Sequence, residues 1–182
     1  TSLASVILKM ASLDLGPVHE FPFLQPPINK FIQDGYQLLY ELDAVDRNFK
    51  ILPMGHQLAK LPLDPSLGRI LIESNKQACL NEILIIISAL SISDPRERPL
   101  DKAEKADQAH LLFHDPDSGF MSFIKLWKLL DEKISIKSGK GLRAFCQQYF
   151  VSYTRIREWQ ELYKQLAEMT KELDFKASQK KV

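Results

Sequence analysis

Apolar side chains recur at helical spacing from the start of the chain. Leu3, Val6, Ile7, Met10 and Leu13 fall on one face, which predicts a helix over residues 3–13. Pro17, Pro22, Pro26 and Pro27 then rule out any long helix. Between Asn29 and Leu42 the period returns, with Phe31, Ile32, Leu38, Leu39 and Leu42 on the apolar side. Residues 44–52 hold two short apolar runs around Asp46-Arg47-Asn48, which predicts a small β-hairpin with a polar turn. Gly55 to Leu61 reads as a short helical turn ended by Pro62. Helix, helix and small hairpin in roughly 60 residues predict a winged-helix-like domain over 1–63.

Asp64-Pro65 is a helix start: the carboxylate caps free N–H groups, and proline suits the first helical position. That helix is expected to reach about Ala78 with Leu67, Ile70 and Leu71 inward. Asn81 is expected to cap the next, Glu82 to Ser91, which is apolar nearly all round and therefore central; Asp94-Pro95 ends it. Arg96 to Gln108 is charged and aperiodic, a loop with a short helix. Asp117-Ser118-Gly119 opens a helix facing inward through Phe120, Phe123, Ile124, Trp127 and Leu130. A loop at 135–141 carries Lys137 and Lys140. One long helix from Leu142 to about Leu173 keeps its stripe through Phe145, Tyr149, Tyr153, Ile156, Trp159, Tyr163 and Leu166. The expected fold class is mainly α: the winged-helix domain with its hairpin, an all-helical bundle over 64–175, and a frayed tail over 176–182.

Composition narrows the function classes more than it selects one. The 182 residues include 45% hydrophobic and 26% charged side chains, ordinary for a globular chain that buries its own core. Lys+Arg 24 against Asp+Glu 23 leaves +1, so no global field points to nucleic acid or a membrane, and any anion-binding surface must be local. Cys79 and Cys146 are the only cysteines, isolated in apolar surroundings; two such residues make no disulfide framework or zinc site, and both are expected to be reduced core residues of a cytosolic protein. The apolar run Ile83–Ala89, broken by Ser88, is far shorter than the about 20 residues that cross a bilayer. A first residue Thr1 without a leader pattern suggests a piece of a longer polypeptide.

Neither G-x-x-x-x-G-K-[ST] nor G-x-G-x-x-G occurs, so the sequence holds no phosphate loop for nucleotide hydrolysis and no catalytic residue is assigned. His110 and His114, followed by Asp115 and Asp117, have metal-like spacing, but no third His supports it; a solvent-facing helix end is the expected reading, with no metal. The informative residues are basic. Arg96, Arg98 and Lys102 share the loop after the most buried helix, and Arg155 and Arg157 lie among Tyr149, Tyr153 and Trp159. Guanidinium groups match phosphate, and aromatic faces can stack on unpaired bases. The competing expectation is structural: the aromatics fit a core stripe, Arg157 can pair with Glu161 one turn on, and Arg96 and Arg98 can pair with Glu97 or Asp101.

The segment Gly55 to Leu67 with Leu61-Pro62-Leu63-Asp64-Pro65-Ser66-Leu67, then Cys79-Leu80-Asn81-Glu82-Ile83-Leu84-Ile85-Ile86 and Ala89-Leu90-Ser91, resembles the helicase-associated region of DEAH-box helicases. Asp94-Pro95-Arg96-Glu97-Arg98-Pro99, Phe113-His114-Asp115 and Arg155-Ile156-Arg157-Glu158-Trp159-Gln160 resemble the bacterial HrpA-type ATP-dependent RNA helicases in particular, and Leu3–Leu8 and Phe21-Pro22-Phe23 fit the same family. The resemblance covers about residues 3–170. It implies a winged-helix domain and a helical ratchet domain that close a channel over single-stranded RNA. Two RecA-like domains of the same polypeptide would use ATP and Mg, with no cofactor bound in this region. Gly119 departs from the pattern, because relatives often carry an acid there.

The resemblance therefore implies an accessory RNA-channel region of a cytoplasmic helicase, with Arg96, Arg98, Lys102, Arg155 and Arg157 as RNA-binding residues. Its partners would be single-stranded RNA and the RecA-like domains, with no membrane. The alternative is a protein–protein interaction module without nucleic-acid activity, marked by an exposed apolar patch. A double-stranded DNA regulator fits less well, since Asn29–Leu42 carries only Lys30 as a basic residue.

Overall fold

The structure, a computed structural model, describes residues 3–74, 79–133 and 139–179, with the side chains of 139–140 and 173–179 excepted. Lys137, Lys140 and the tail from Lys176 lie outside the described side chains. The fold is mainly helical and divides into two compact units, residues 1–76 and 77–182.

In the first unit, α1 (Leu3–Ser12) packs on α2 (Asn29–Glu41) and α3 (Pro53–Lys60), and α4 (Pro65–Ser74) packs on α3. Ala4, Ile7, Leu8 and Met10 of α1 and Ile32 and Leu39 of α2 are buried. Leu13, Phe31 and Ile70, expected inward, are exposed. The proline-rich connection holds a single 3-10 turn at Val18–Glu20. As expected, Pro65 opens α4 while an Asp64 carboxylate oxygen accepts the Ser66 N–H at 3.1 Å.

The expected β-hairpin is corrected: its turn forms, but its strands shrink to one antiparallel bridge, Val45 to Ile51. The cause is local. Asp43, at φ 57°, ends α2 just before Val45, and Pro53 opens α3 just after Ile51, so neither arm can lengthen. One carboxylate oxygen of Asp46 accepts the N–H groups of Asn48 (2.8 Å) and Lys50 (2.9 Å), and closes the turn on itself.

In the second unit, α5 (Leu80–Leu90) is central and packs on α7 (Gly119–Lys133) and on α9 (Tyr153–Gln179); α6 (Ala103–His110) packs on α8 (Gly139–Tyr149). Trp159 of α9 is fully buried, and its indole N–H donates to the Ile85 carbonyl (3.1 Å) and to Ser88 Oγ (3.0 Å). Trp127 and Phe123 meet its ring edge-on at 4.9 and 6.0 Å between centroids. Ser88 in turn donates to the Leu84 carbonyl, at 2.6 Å, so this buried polar pair is satisfied.

Several expectations change in this unit: Phe120, expected inward, is exposed, and α8 already begins at Gly139, inside the loop expected over 135–141. The long last helix is two, α8 and α9, because Phe150 adopts φ 51° between them. Asn81 does not cap α5: the capping position is Cys79, and the Asn81 side chain accepts the Tyr163 hydroxyl at 2.6 Å. Cys79 is exposed, whereas Cys146 is buried as expected, and burial aided by Glu97 pushes its thiol up to about 11.

At the start of α7, Ser118 Oγ accepts the Met121 N–H at 3.4 Å, and nothing lies within 4 Å of a side chain built at Gly119. An acid there would lose no space, would gain helix propensity over glycine, and would face the positive end of the helix dipole. Gly119→Glu is therefore expected to stabilise the chain by about 1 kcal/mol, read as a Tm rise of roughly 2–4 °C.

Candidate nucleic-acid interface

The loop after α5 is tied to the α8–α9 junction. Arg96 and Val151 form an antiparallel bridge, the Glu97 N–H donates to the Phe150 carbonyl (2.8 Å), and the Ser152 N–H donates to the Pro95 carbonyl (2.7 Å). His110, at the end of α6, places Nε2 2.9 Å from the same Phe150 carbonyl. It is thus half-buried and engaged at the junction, not a solvent-facing helix end. Among the described residues no group of three or more His, Cys, Asp or Glu side chains is placed to hold a metal ion.

Asp94 organises two of the five basic candidates. Arg96 grips its carboxylate through Nε (3.0 Å) and Nη2 (2.6 Å), and Arg155 Nη1 donates to its backbone carbonyl at 2.7 Å. The Arg96 guanidinium holds the Asp94 carboxyl below the usual carboxylate range, against an opposing push from partial burial. Arg98 forms a second fork on Asp107 (2.8 and 2.9 Å), and this hydrogen bond likewise lowers the Asp107 carboxyl. The partners are Asp94 and Asp107, not Glu97 or Asp101. A cavity of about 200 Å³ is lined by Arg96, Asp107, His110 and His114, among others, which places the Arg98 partner beside Arg96.

Arg157 behaves differently. Its Nη2 donates to Glu161 at 2.9 Å, the pairing its spacing predicted. Two residues along a helix do not share a face, so Arg157 points away from Arg155. Lys102 ends a 3-10 turn at Leu100–Lys102, exposed and without an ion pair among the described residues. The aromatics near these arginines belong mainly to the core: Tyr149, Trp159 and Phe145 are buried. Tyr153 is the exception, with the Arg143 guanidinium 5.1 Å from its ring centroid.

The fold thus brings Arg96, Arg98 and Arg155 to one loop, each already holding an oxygen. Arg96 is 42% exposed and Asp94 49%, and ion pairs this open contribute only about 0–1 kcal/mol. Phosphate can therefore displace the carboxylates at little cost, and a guanidinium with five N–H donors can serve both at once. Arg96 and Arg98 were legible as a basic loop. Asp94, read only as a helix stop, and Phe150, a stripe-interrupting aromatic, were not.

A helix-rich unit with one bridged turn, followed by a helical bundle that displays guanidinium groups on a tied loop, defines a two-part helical module. The sequence also has two parts, with α4 packed in the first unit but matching the second family model. Residues 36–63 match the family model described as the helicase-associated domain (HA2), winged-helix, and residues 64–171 match the ratchet-like HA2 domain. The chain belongs to the HA2 helicase-associated family. It is similar to the ATP-dependent RNA helicase HrpA of Escherichia coli, at 46% identity over 95% of this chain and 14% of that protein. A HrpA homolog of Haemophilus influenzae is 40% identical over 100% of the chain and 14% of its own length. The pre-mRNA-splicing factor ATP-dependent RNA helicase prp22 of Schizosaccharomyces pombe is 26% identical over 91% and 14%. The chain thus spans 14% of the length of these curated relatives. Among the described residues no helix is long and apolar enough to cross a membrane.

Proposed function

We propose that this chain is the accessory region of a cytoplasmic DEAH-box ATP-dependent RNA helicase. It helps form the single-stranded RNA channel and couples motion of the RecA-like domains to strand translocation and unwinding. ATP and Mg are bound by those domains of the parent chain. Residues 1–63 act as the winged-helix part and 64–175 as the ratchet. The observation that carries this reading is the identity to the E. coli RNA helicase, which runs through nearly the whole chain.

The loop chemistry supports it. A motor must release its strand at every step, so contacts should be to phosphate, sequence-indifferent and individually weak. Arg96, Arg98 and Arg155, with Lys102 and Arg157 at the margins, offer such contacts in a surround kept near neutral by Asp94 and Asp107. In the full-length protein, Arg96→Ala with Arg155→Ala is expected to weaken single-stranded RNA binding. Losing two phosphate contacts should flatten the plot of log affinity against log salt by about 1.4. An unchanged affinity and slope, in a variant with unchanged Tm, would falsify the assignment.

The interaction-module reading keeps one observation in its favour: Leu111, Leu112, Phe120 and Met121 are exposed around the α6–α7 connection. It predicts no salt-dependent RNA binding, so the same titration separates the two.

A further inference from the structure

The first unit carries a cavity of about 830 Å³ between the end of α1, α2 and the bridged turn, within the roughly 300–1,000 Å³ typical of small-ligand sites. Its wall includes an aromatic pair, Tyr36 of α2 and Phe49 of the turn, with ring centroids 4.4 Å apart and planes tilted by 36°. Phe49 is 53% exposed and sits at φ 62°, a conformation that disfavours a bulky side chain. The Asp46 cap holds the turn there, so the fold bears backbone strain to present a ring toward solvent. Around the pair, Gln33, Asn48 and Lys50 also line the cavity, and none of their side chains has a hydrogen-bond or ion-pair partner among the described residues. Asp14, at φ 55°, adds a carboxylate to the wall.

A flat ring partly open to solvent, amide groups able to both donate and accept, and an unpaired ammonium make a set that matches one ligand chemistry. We propose that this cavity binds an unpaired nucleobase and its phosphate. The base stacks on the Phe49–Tyr36 pair, Gln33 and Asn48 meet its polar edge, and Lys50 meets the phosphate. Asp14 suits a sugar hydroxyl or an exocyclic amine, and disfavours a second phosphate at its end. Stacking of this kind tolerates every base, because each has a π-face. For a single strand as the source of that base, the inference rests on the RNA reading above, but it uses a different unit and different residues.

The test compares wild type, Phe49→Leu and Phe49→Trp in the full-length protein, using a fluorescein-labelled oligouridylate, the same oligomer with abasic sites, and uridine monophosphate. Phe49→Leu removes the ring at an exposed position and is expected to weaken the oligouridylate roughly tenfold, while Phe49→Trp binds like wild type. The abasic oligomer should bind wild type and Phe49→Leu alike. If uridine monophosphate binding also falls in Phe49→Leu, a free nucleotide suffices as ligand; if only the oligomer responds, the ligand is a strand. Oligouridylate and mononucleotide binding both within twofold of wild type in Phe49→Leu would overturn the proposal. The Arg96→Ala, Arg155→Ala variant is measured in parallel. A response there without one at Phe49 overturns this site alone, and the converse overturns the loop assignment alone.

Discussion

Trp159→Ala is expected to destabilise the second unit by about 3–5 kcal/mol from lost burial and the cavity left behind. Two buried acceptors, the Ile85 carbonyl and Ser88 Oγ, would also lose their indole N–H donor, and although Ser88 Oγ still donates to the Leu84 and Ile85 carbonyls, the lost hydrogen bonds cost about 1 kcal/mol more. The sum is comparable with the about 5–15 kcal/mol that holds an ordinary domain together. The variant should therefore be largely unfolded in that unit at ambient temperature, or denature at a much lower urea concentration. Trp159→Phe separates the two contributions. It keeps a ring against Trp127 and Phe123 but removes the N–H, so its loss should be confined to about 1–3 kcal/mol. Urea denaturation followed by far-UV circular dichroism measures both. An unshifted midpoint in Trp159→Ala would mean that α5, α7 and α9 are not joined through this ring.

Helix periodicity was legible wherever one face is buried, because burial acts on whole turns and leaves a repeating trace. Leu39, Leu71, Ile124, Leu130, Ile156 and Trp159 all follow it inward. Even the one polar break in the apolar run, Ser88, has its reason in the Trp159 indole, although nothing local in the sequence names that partner. The legible part ends where a decision is made by contacts distant in sequence. The stripe from Phe145 to Leu166 runs on as if unbroken, yet the chain breaks at Phe150, where the turn is fixed by Glu97 and His110 from other elements. The hairpin pattern was read correctly as a turn and wrongly as strands, since flanking helix ends, not residue propensity, set its length. Leu13, Phe31, Ile70 and Phe120 lie at positions that fit the period yet are exposed, because the period does not say how wide the partner helix is.

The candidate site divides along the same line. Residue type and context singled out Arg96, Arg98 and Arg155 as candidates, and the fold brings the three together. Which oxygen each holds was not legible, because Arg155 meets the Asp94 backbone carbonyl across 61 positions and Arg98 reaches the Asp107 carboxylate nine residues on. The expected Arg157–Glu161 pair formed because i,i+4 geometry is fixed by the helix itself. The Phe49–Tyr36 pair gave no signal: an aromatic next to Asn48 reads as one arm of a hairpin, and only the positive φ at Phe49 turns it outward.

Gly55→Ala is expected to destabilise the first unit by about 1–3 kcal/mol despite the better helix propensity of alanine. Gly55 lies in the first turn of α3, where that helix approaches the segment leading into the bridged turn. A Cβ there would overlap the Ala44 carbonyl oxygen and come within 2.8 Å of Ile51 Cγ1. Neither neighbour can yield freely: Ala44 is fully buried and its carbonyl accepts the Leu52 N–H at 2.9 Å, while Ile51 is half of the only bridge in the turn. Relief must come from sliding α3 or opening the turn, and opening it would also release Phe49 from Tyr36. The comparison that isolates this cause is Gly119→Ala, the same change in the first turn of α7, where nothing lies within 4 Å. Helix propensity alone would stabilise both variants by up to about 1 kcal/mol. Opposite signs in thermal denaturation, a lower Tm for Gly55→Ala and a higher one for Gly119→Ala, would trace the difference to the contact with Ala44. Equal shifts would show that α3 stands further from the turn than its glycine implies.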